Sequence, residues 1–313
     1  MQAYIARRLL TMVPIIILVG TVVFLLVHLT PGDPAVIMLG PDAPDDAVAA
    51  LRRDLGLDAP FYTQWARWLR RAAVGDLGTS IFFGIPVTTA IRRHLAPTLY
   101  LSLLAVLIAI GIGVPAGILS AVRRGSFLDQ TVTLVAFLGV SVPEFWLALN
   151  LVLLFAVRLG LLPVAGYTSP LVDLAAGLRH LALPAFTMGF VQSALIARMT
   201  RTAMLEVVAQ DYIRTARAKG LSFRRVTMGH AFPNALITVI TVVGIIFSVM
   251  MGGNVVAETI FTIPGVGQLL ITSVLRRDYP VIQGIVLIVA TAYVLINLAV
   301  DVVYTLVDPR IRY

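Results

Sequence analysis

Lys219 is the only lysine in this chain, and it stands in the triplet Ala218-Lys219-Gly220. A loop that cradles nucleotide phosphates needs Gly-Lys-Ser/Thr, so no Walker A site is encoded here. The histidines His28, His94, His180 and His230 are scattered, and His-Glu-x-x-His, which sets two metal ligands on one helix face, does not occur. Gly-x-Ser-x-Gly is missing too. The chain has no cysteine, which removes thiol nucleophiles, iron–sulfur clusters, thiolate zinc sites and disulfides together. No catalytic set emerges, and a membrane enzyme is the weakest of the functional classes. The chemistry on offer is polar recognition inside apolar runs. Glu144 follows Pro143 and is the one formal charge in residues 130–157. An acid at such a depth is costly and faces a cavity or a partner. Glu144 therefore lines a pathway, stays protonated, or pairs with a neighbouring subunit. Asn150 and Gln192 are weaker pathway candidates of the same kind.

The elements that must hold these groups are membrane helices. The 313 residues are 59% hydrophobic and 13% charged, with a mean hydropathy of +0.94. Soluble domains carry roughly 25% charged residues. Intrinsic disorder needs the opposite composition. Six stretches are long enough, or nearly so, to cross a bilayer: 9–29, 95–122, 130–157, 180–197, 226–257 and 279–300. None alternates as a barrel strand would, so the fold class is all-α integral membrane with six transmembrane helices. Pro115, Pro143 and Pro184 interrupt three of the spans. Gly113-x-x-x-Gly117 invites close helix contact in the second.

Charge sets the orientation. Arg7-Arg8 before the first run resembles a signal peptide, but the run is too long and no cleavage site follows it. With the N-terminus inside, thirteen Lys and Arg fall on the cytoplasmic side, against four in the two short outer loops. Both termini are then cytoplasmic. This asymmetry accounts for the net charge of +8, and no basic patch with interleaved aromatics points to nucleic acid.

Residues 31–94 form a long outer loop with structure of its own. Asp45 and Asp46 first, Arg52 and Arg53 late, and Gly56 after them suit a short helix aligned with its dipole. Pro60 opens a second helix with Phe61, Trp65, Trp68, Leu69 and Ala72 on one face. That face rests on the membrane interface, where tryptophan is favoured; the alternative is a docking surface for an external partner through Trp65 and Trp68. A third amphipathic piece, 87–91, leads into the second span.

Between the fourth and fifth spans the chain predicts a helix, a break and a second helix. Residues 198–225 hold seven bases and two acids. Gly220 can end the first helix in the left-handed conformation, and Ser222 can cap the next. Asp211 lies one turn from Arg214 and Thr215, which supports the first helix modestly.

This segment resembles the "EAA" loop of ABC importer permeases, and Asp211-Tyr212-x-x-x-Ala216-x-x-Lys219-Gly220-x-Ser222 resembles the form found in the dipeptide/oligopeptide permeases. Val207-Val208 departs from the two alanines of the nickname. The match extends along the chain through Pro31-Gly32-Asp33-Pro34, residues 75–80, residues 162–167, His180-Leu181-x-Leu183-Pro184-Ala185, residues 258–267, Arg277-Asp278-Tyr279-Pro280 and Asp308-Pro309-Arg310-Ile311-Arg312. The long first outer loop is like that of the first of the family's two permease subunits.

The resemblance implies a type I ABC importer permease fold, with a first helix and outer loop over 1–94 and a permease domain over 95–313 that carries a coupling loop at 204–233. It implies a heterodimer with a second permease, two ATPase subunits that bind ATP and magnesium, and an external substrate-binding protein that delivers peptide. Glu206, Asp211, Tyr212, Ala216, Lys219, Gly220 and Ser222 would meet the ATPases. Relatives of this kind also import nickel, glutathione and other small solutes. A secondary transporter is the runner-up, but it would show inverted repeats and several buried ionisable groups.

Overall fold

Apolar runs of bilayer length fold as helices because only internal hydrogen bonding satisfies their backbone in lipid. The computed structural model describes residues 2–29, 34–40 and 43–307. Pro31-Gly32-Asp33, residues 308–312 and the side chain of His28 lie outside the described residues. The described elements are α1 (Gln2–Leu29), α2 (Pro34–Leu39), α3 (Asp45–Leu55), α4 (Phe61–Ala73), α5 (Val87–Val122), α6 (Phe127–Ser141), α7 (Glu144–Leu151), α8 (Leu174–Val208), α9 (Asp211–Ala218), α10 (Phe232–Met251), α11 (Val255–Ile260), α12 (Val266–Leu275) and α13 (Tyr279–Val307). Val152–Arg158 continues α7, and Arg225–Ala231 leads into α10, each as a π-helical stretch.

Val87–Val122, Leu174–Val208, Arg225–Met251 and Tyr279–Leu306 are long and apolar enough to cross a membrane. Phe127–Ser141 and Glu144–Arg158, bent by 100° between them, have the length and apolarity of a span only when taken together. The first span expected from the sequence is α1, 28 residues long with an apolar stretch at Leu10–Leu25. At 1.5 Å per residue that apolar stretch reaches about 24 Å, short of a bilayer core of about 30 Å, so among the described residues α1 does not meet the length that the other spans meet.

Two expectations need correction. Residues 130–157 are not one straight span. Val142 before Pro143 is extended (φ −78°, ψ 124°), because the proline ring disfavours helix in the residue ahead of it. Pro115 and Pro184 remain inside continuous helices. Residues 226–257 divide at Gly252-Gly253 into α10 and the short α11, which Asn254 caps. The amphipathic piece at 87–91 does lead into the second span, as the first turn of a 36-residue α5.

The chain divides into two units, Met1–Ala96 with Gly265–Val294, and Pro97–Pro264 with Leu295–Tyr313. In the first, Val87, Ala90 and Ile91 of α5 pack with Val266 and Leu269 of α12 and with Val281 and Ile285 of α13. The outer-loop helices form as expected, with Asp45 and Asp46 in the first turn of α3 and Gly56 left-handed at φ +69° after it. In the second, α8 is central. Gly113 and Gly117 bring α5 against it so closely that an added Cβ would stand 2.7 Å from the Ser193 carbonyl oxygen and 2.5 Å from that of Ala197. This is the close approach that the small-residue spacing predicts.

Candidate functional site

The segment between α8 and α10 forms an elbow. The chain leaves α8, turns at Gln210 (φ −71°, ψ 149°) and enters α9. α9 is two-faced, because Ile213 and Ala216 lie three residues apart on one side. Ile213 is fully buried and Ala216 nearly so. They sit among Ala121 and Ile118 of α5, Ala203, Met204, Val207 and Val208 of α8, and Val226, Ala231, Phe232 and Ala235 at the start of the next span. Burying the Ile213 side chain is worth about 1.5–3 kcal/mol. One small helix is thus seated on three span ends.

α9 closes by hydrogen bonds from Gly220 N–H to Arg217 O at 2.9 Å and from Leu221 N–H to Ala216 O at 3.4 Å. This pairing is the Schellman motif, and it requires the left-handed φ of +79° that Gly220 supplies. Leu221 packs in the same apolar seat. The next turn begins as Val226 N–H bonds the Ser222 carbonyl at 3.0 Å, so Ser222 caps with its backbone.

The opposite face is open. Glu206, Asp211, Tyr212, Lys219, Gly220 and Ser222 are exposed together with Phe223. The Arg214 to Asp211 pair, at 3.4 Å with side chains 75% and 94% exposed, contributes little. The Tyr212 hydroxyl donates to the His230 carbonyl at 3.5 Å, and desolvation raises its pKa above the ordinary phenol range, so it remains a donor. Ala216 is the exception among the residues expected to meet a partner. It faces the spans, because it shares the buried stripe of α9 with Ile213.

The polar groups named as pathway candidates make separate contacts. Glu144 is half-buried at the start of α7, where its Oε1 accepts from Asn254 Nδ2 at 2.6 Å. Asn254 also caps α11, its Oδ1 accepting from Ala257 N–H at 3.2 Å. Glu144 is therefore tied within its own chain. Asn150 donates to the Trp146 carbonyl of its own helix at 2.7 Å and is exposed. Gln192 is half-buried on α8. No hydrogen bond joins these three side chains among the described residues.

Sequence reasoning missed two further polar groups. Thr98 donates to the fully buried Glu258 at 2.7 Å. Asp129 takes a bidentate pair from Arg201, Nε at 2.8 Å and Nη2 at 2.9 Å, and accepts from the Ser120 hydroxyl and from Gly125 N–H at 2.9 Å. Ser126 at the N-cap and Asp129 three residues on form a legible helix start. The pairing with Arg201 has no local signal.

In the first unit, Asp278 is fully buried and accepts from the Ser80 hydroxyl, Ile81 N–H at 3.1 Å and Phe82 N–H at 3.1 Å. It thereby pins the turn that carries Phe82 and Phe83. Trp65 and Trp68 are half-buried. Trp65 donates to Thr21 Oγ1 at 3.1 Å, and the Trp68 ring lies against Gly20 and Phe24. Their indoles are committed to α1.

Residues 113–313 match the family described as binding-protein-dependent transport system inner membrane component, and residues 1–84 match the N-terminal family of such membrane components. A probable peptide ABC transporter permease protein of Sinorhizobium fredii is 43% identical over the full length of both chains. A putative peptide transport system permease protein of Brucella abortus is 47% identical, again over the full length of both. In fold, the chain is similar to a solved structure of the MetNI methionine ABC transporter in its inward-facing conformations, with a TM-score of 0.58 at 21% identity over 71% of this chain and 97% of that one. The chain belongs to the family of binding-protein-dependent transport system inner membrane components.

Proposed function

We propose that this chain is the first permease subunit of an ATP-driven importer that moves peptides inward across the bacterial plasma membrane by alternating access. The observation that carries the reading is the full-length likeness to peptide permeases at 43% and 47% identity. The elbow supports it, because an exposed polar face on a helix seated against three spans is built to receive a push and pass it on. A second permease chain completes the pathway as a heterodimer. Two partner ATPases bind ATP and magnesium, and an external substrate-binding protein delivers the peptide. The thirteen-to-four basic asymmetry supports both termini and the 204–233 loop on the cytoplasmic side, and residues 31–94 outside.

In this mechanism the ATPases engage Glu206, Asp211, Tyr212, Lys219, Gly220 and Ser222. Displacement of α9 passes through Ile213 and Ala216 to the ends of α5, α8 and α10. Close-packed apolar seats do not deform continuously, so the spans shift as bodies between two arrangements. The test is affinity purification of the tagged chain from its native membrane. Co-purification of a second permease and of ATPase chains is expected. Isolation of a stable lone chain that catalyses uptake would refute the reading.

A further inference from the structure

We propose that Asp129 and Arg201 are positioning residues of the transport cycle, forming the joint that passes movement of the elbow seat to the bent α6–α7 segment. This rests on the importer reading above. Asp129 is held by donors from three places: Arg201 on α8, Ser120 on α5, and the backbone of Gly125 in the turn between α5 and α6. Its side chain is 7% exposed and that of Arg201 30%. The guanidinium meets the carboxylate as a fork, which fixes orientation as well as distance, and an ammonium cannot reproduce this.

The location gives the pair its role. Ser120 adjoins Ala121, and Arg201 lies two and three residues before Ala203 and Met204; Ala121, Ala203 and Met204 all seat the elbow. A shift of α9 therefore reaches Ser120 through its chain neighbour Ala121 and Arg201 within the same turn of α8. On the other side, α6 runs unbroken from Asp129 to Ser141, bends by 100° and reaches Glu144, which Asn254 holds. Open clefts of about 150 and 310 Å³ run along α6 and α8, both lined by Ala136, Ala194 and Ala197, and the larger one also by Arg201 itself. α6 also packs directly on α8, where a Cβ added at Gly139 would stand 3.2 Å from the Ala194 Cβ, so the ion pair fixes the orientation of two helices already in contact.

The test uses the whole complex, with its partner subunits and binding protein, in proteoliposomes. Asp129→Asn keeps shape but removes charge, Arg201→Lys keeps charge but removes the fork, and Asp129→Glu keeps the ion pair. The readouts are assembly, basal ATPase activity, stimulation of that activity by loaded binding protein, and uptake. We expect Asp129→Asn and Arg201→Lys to assemble with unchanged basal activity and to lose stimulation and uptake by about 5-fold or more, the lower end of ordinary coupling. Asp129→Glu should recover most of both. A cysteine pair across the bend, at positions 137 and 145, should report a nucleotide-dependent distance change in the parent complex that Asp129→Asn abolishes. Normal stimulation in Arg201→Lys and Asp129→Asn would overturn the proposal. An equal loss of basal and stimulated activity, or failure of Asp129→Asn to assemble combined with normal stimulation in Arg201→Lys, would reduce the pair to a structural staple and overturn it too. If the parent complex itself shows no stimulation, it is the importer reading that fails.

Discussion

Replacing Gly220 tests the elbow at its most demanding backbone position. Gly220 has φ +79°, and a Cβ built there meets nothing within 4 Å. The cost of a side chain is therefore conformational and not steric. An ordinary L-residue in the left-handed region costs about 1–2 kcal/mol. A β-branched one at a sparsely populated geometry approaches about 3 kcal/mol. Asparagine visits this region readily and should cost least. These amounts are small beside the packing of the spans, yet they equal a typical coupling energy of about 1–3 kcal/mol. The Schellman closure of α9 would yield first, freeing Leu221 from the seat. Gly220→Val should therefore insert and co-purify with its partners but lose stimulation of ATPase activity by loaded binding protein. Gly220→Ala should fall between, and Gly220→Asn should stay near the parent. Equal stimulation in Gly220→Val and the parent, or equal damage from asparagine and valine, would refute the reasoning.

Ile213→Ala should lower the thermal midpoint of the complex and uncouple it, since truncating a fully buried isoleucine costs about 2–5 kcal/mol; a thermal shift measured beside stimulated ATPase activity reports both. Glu144→Gln retains an acceptor for Asn254 and should assemble normally with altered uptake, whereas Glu144→Leu strands the Asn254 amide at a cost of about 1–3 kcal/mol and should lose both stability and uptake. Normal uptake by both variants would take Glu144 out of the pathway. With no native cysteine to interfere, a cysteine at position 58 should react with an impermeant thiol reagent on intact cells and one at position 220 should not.

Hydropathy made most of the helices legible, and glycine and serine chemistry placed the elbow. The bend between α6 and α7 was only half legible. Pro143 breaks a span while Pro115 and Pro184 do not, and the residue type is the same in all three. What differs is the surroundings. Beyond the Pro143 break, Glu144 and α11 are joined through Asn254, 110 residues away along the chain. The same limit hid the pairs Asp129–Arg201, 72 residues apart, and Thr98–Glu258, 160 apart. Such partners are chosen by tertiary packing and carry no period. Ala216 teaches a different lesson. It belongs to the recognisable motif, but its three-residue spacing from Ile213 already put it on the inner stripe of α9. The tryptophans of α4 gave a correct amphipathic helix and left open what its face meets, because α1 is as apolar as the bilayer.

The most direct test is uptake of labelled peptide by the reconstituted complex, driven either by ATP or by a proton gradient alone. The account predicts uptake that requires ATP, the partner ATPases and loaded binding protein, and that disappears in Gly220→Val. Uptake by this chain alone, sustained by the proton gradient without ATP, would contradict it.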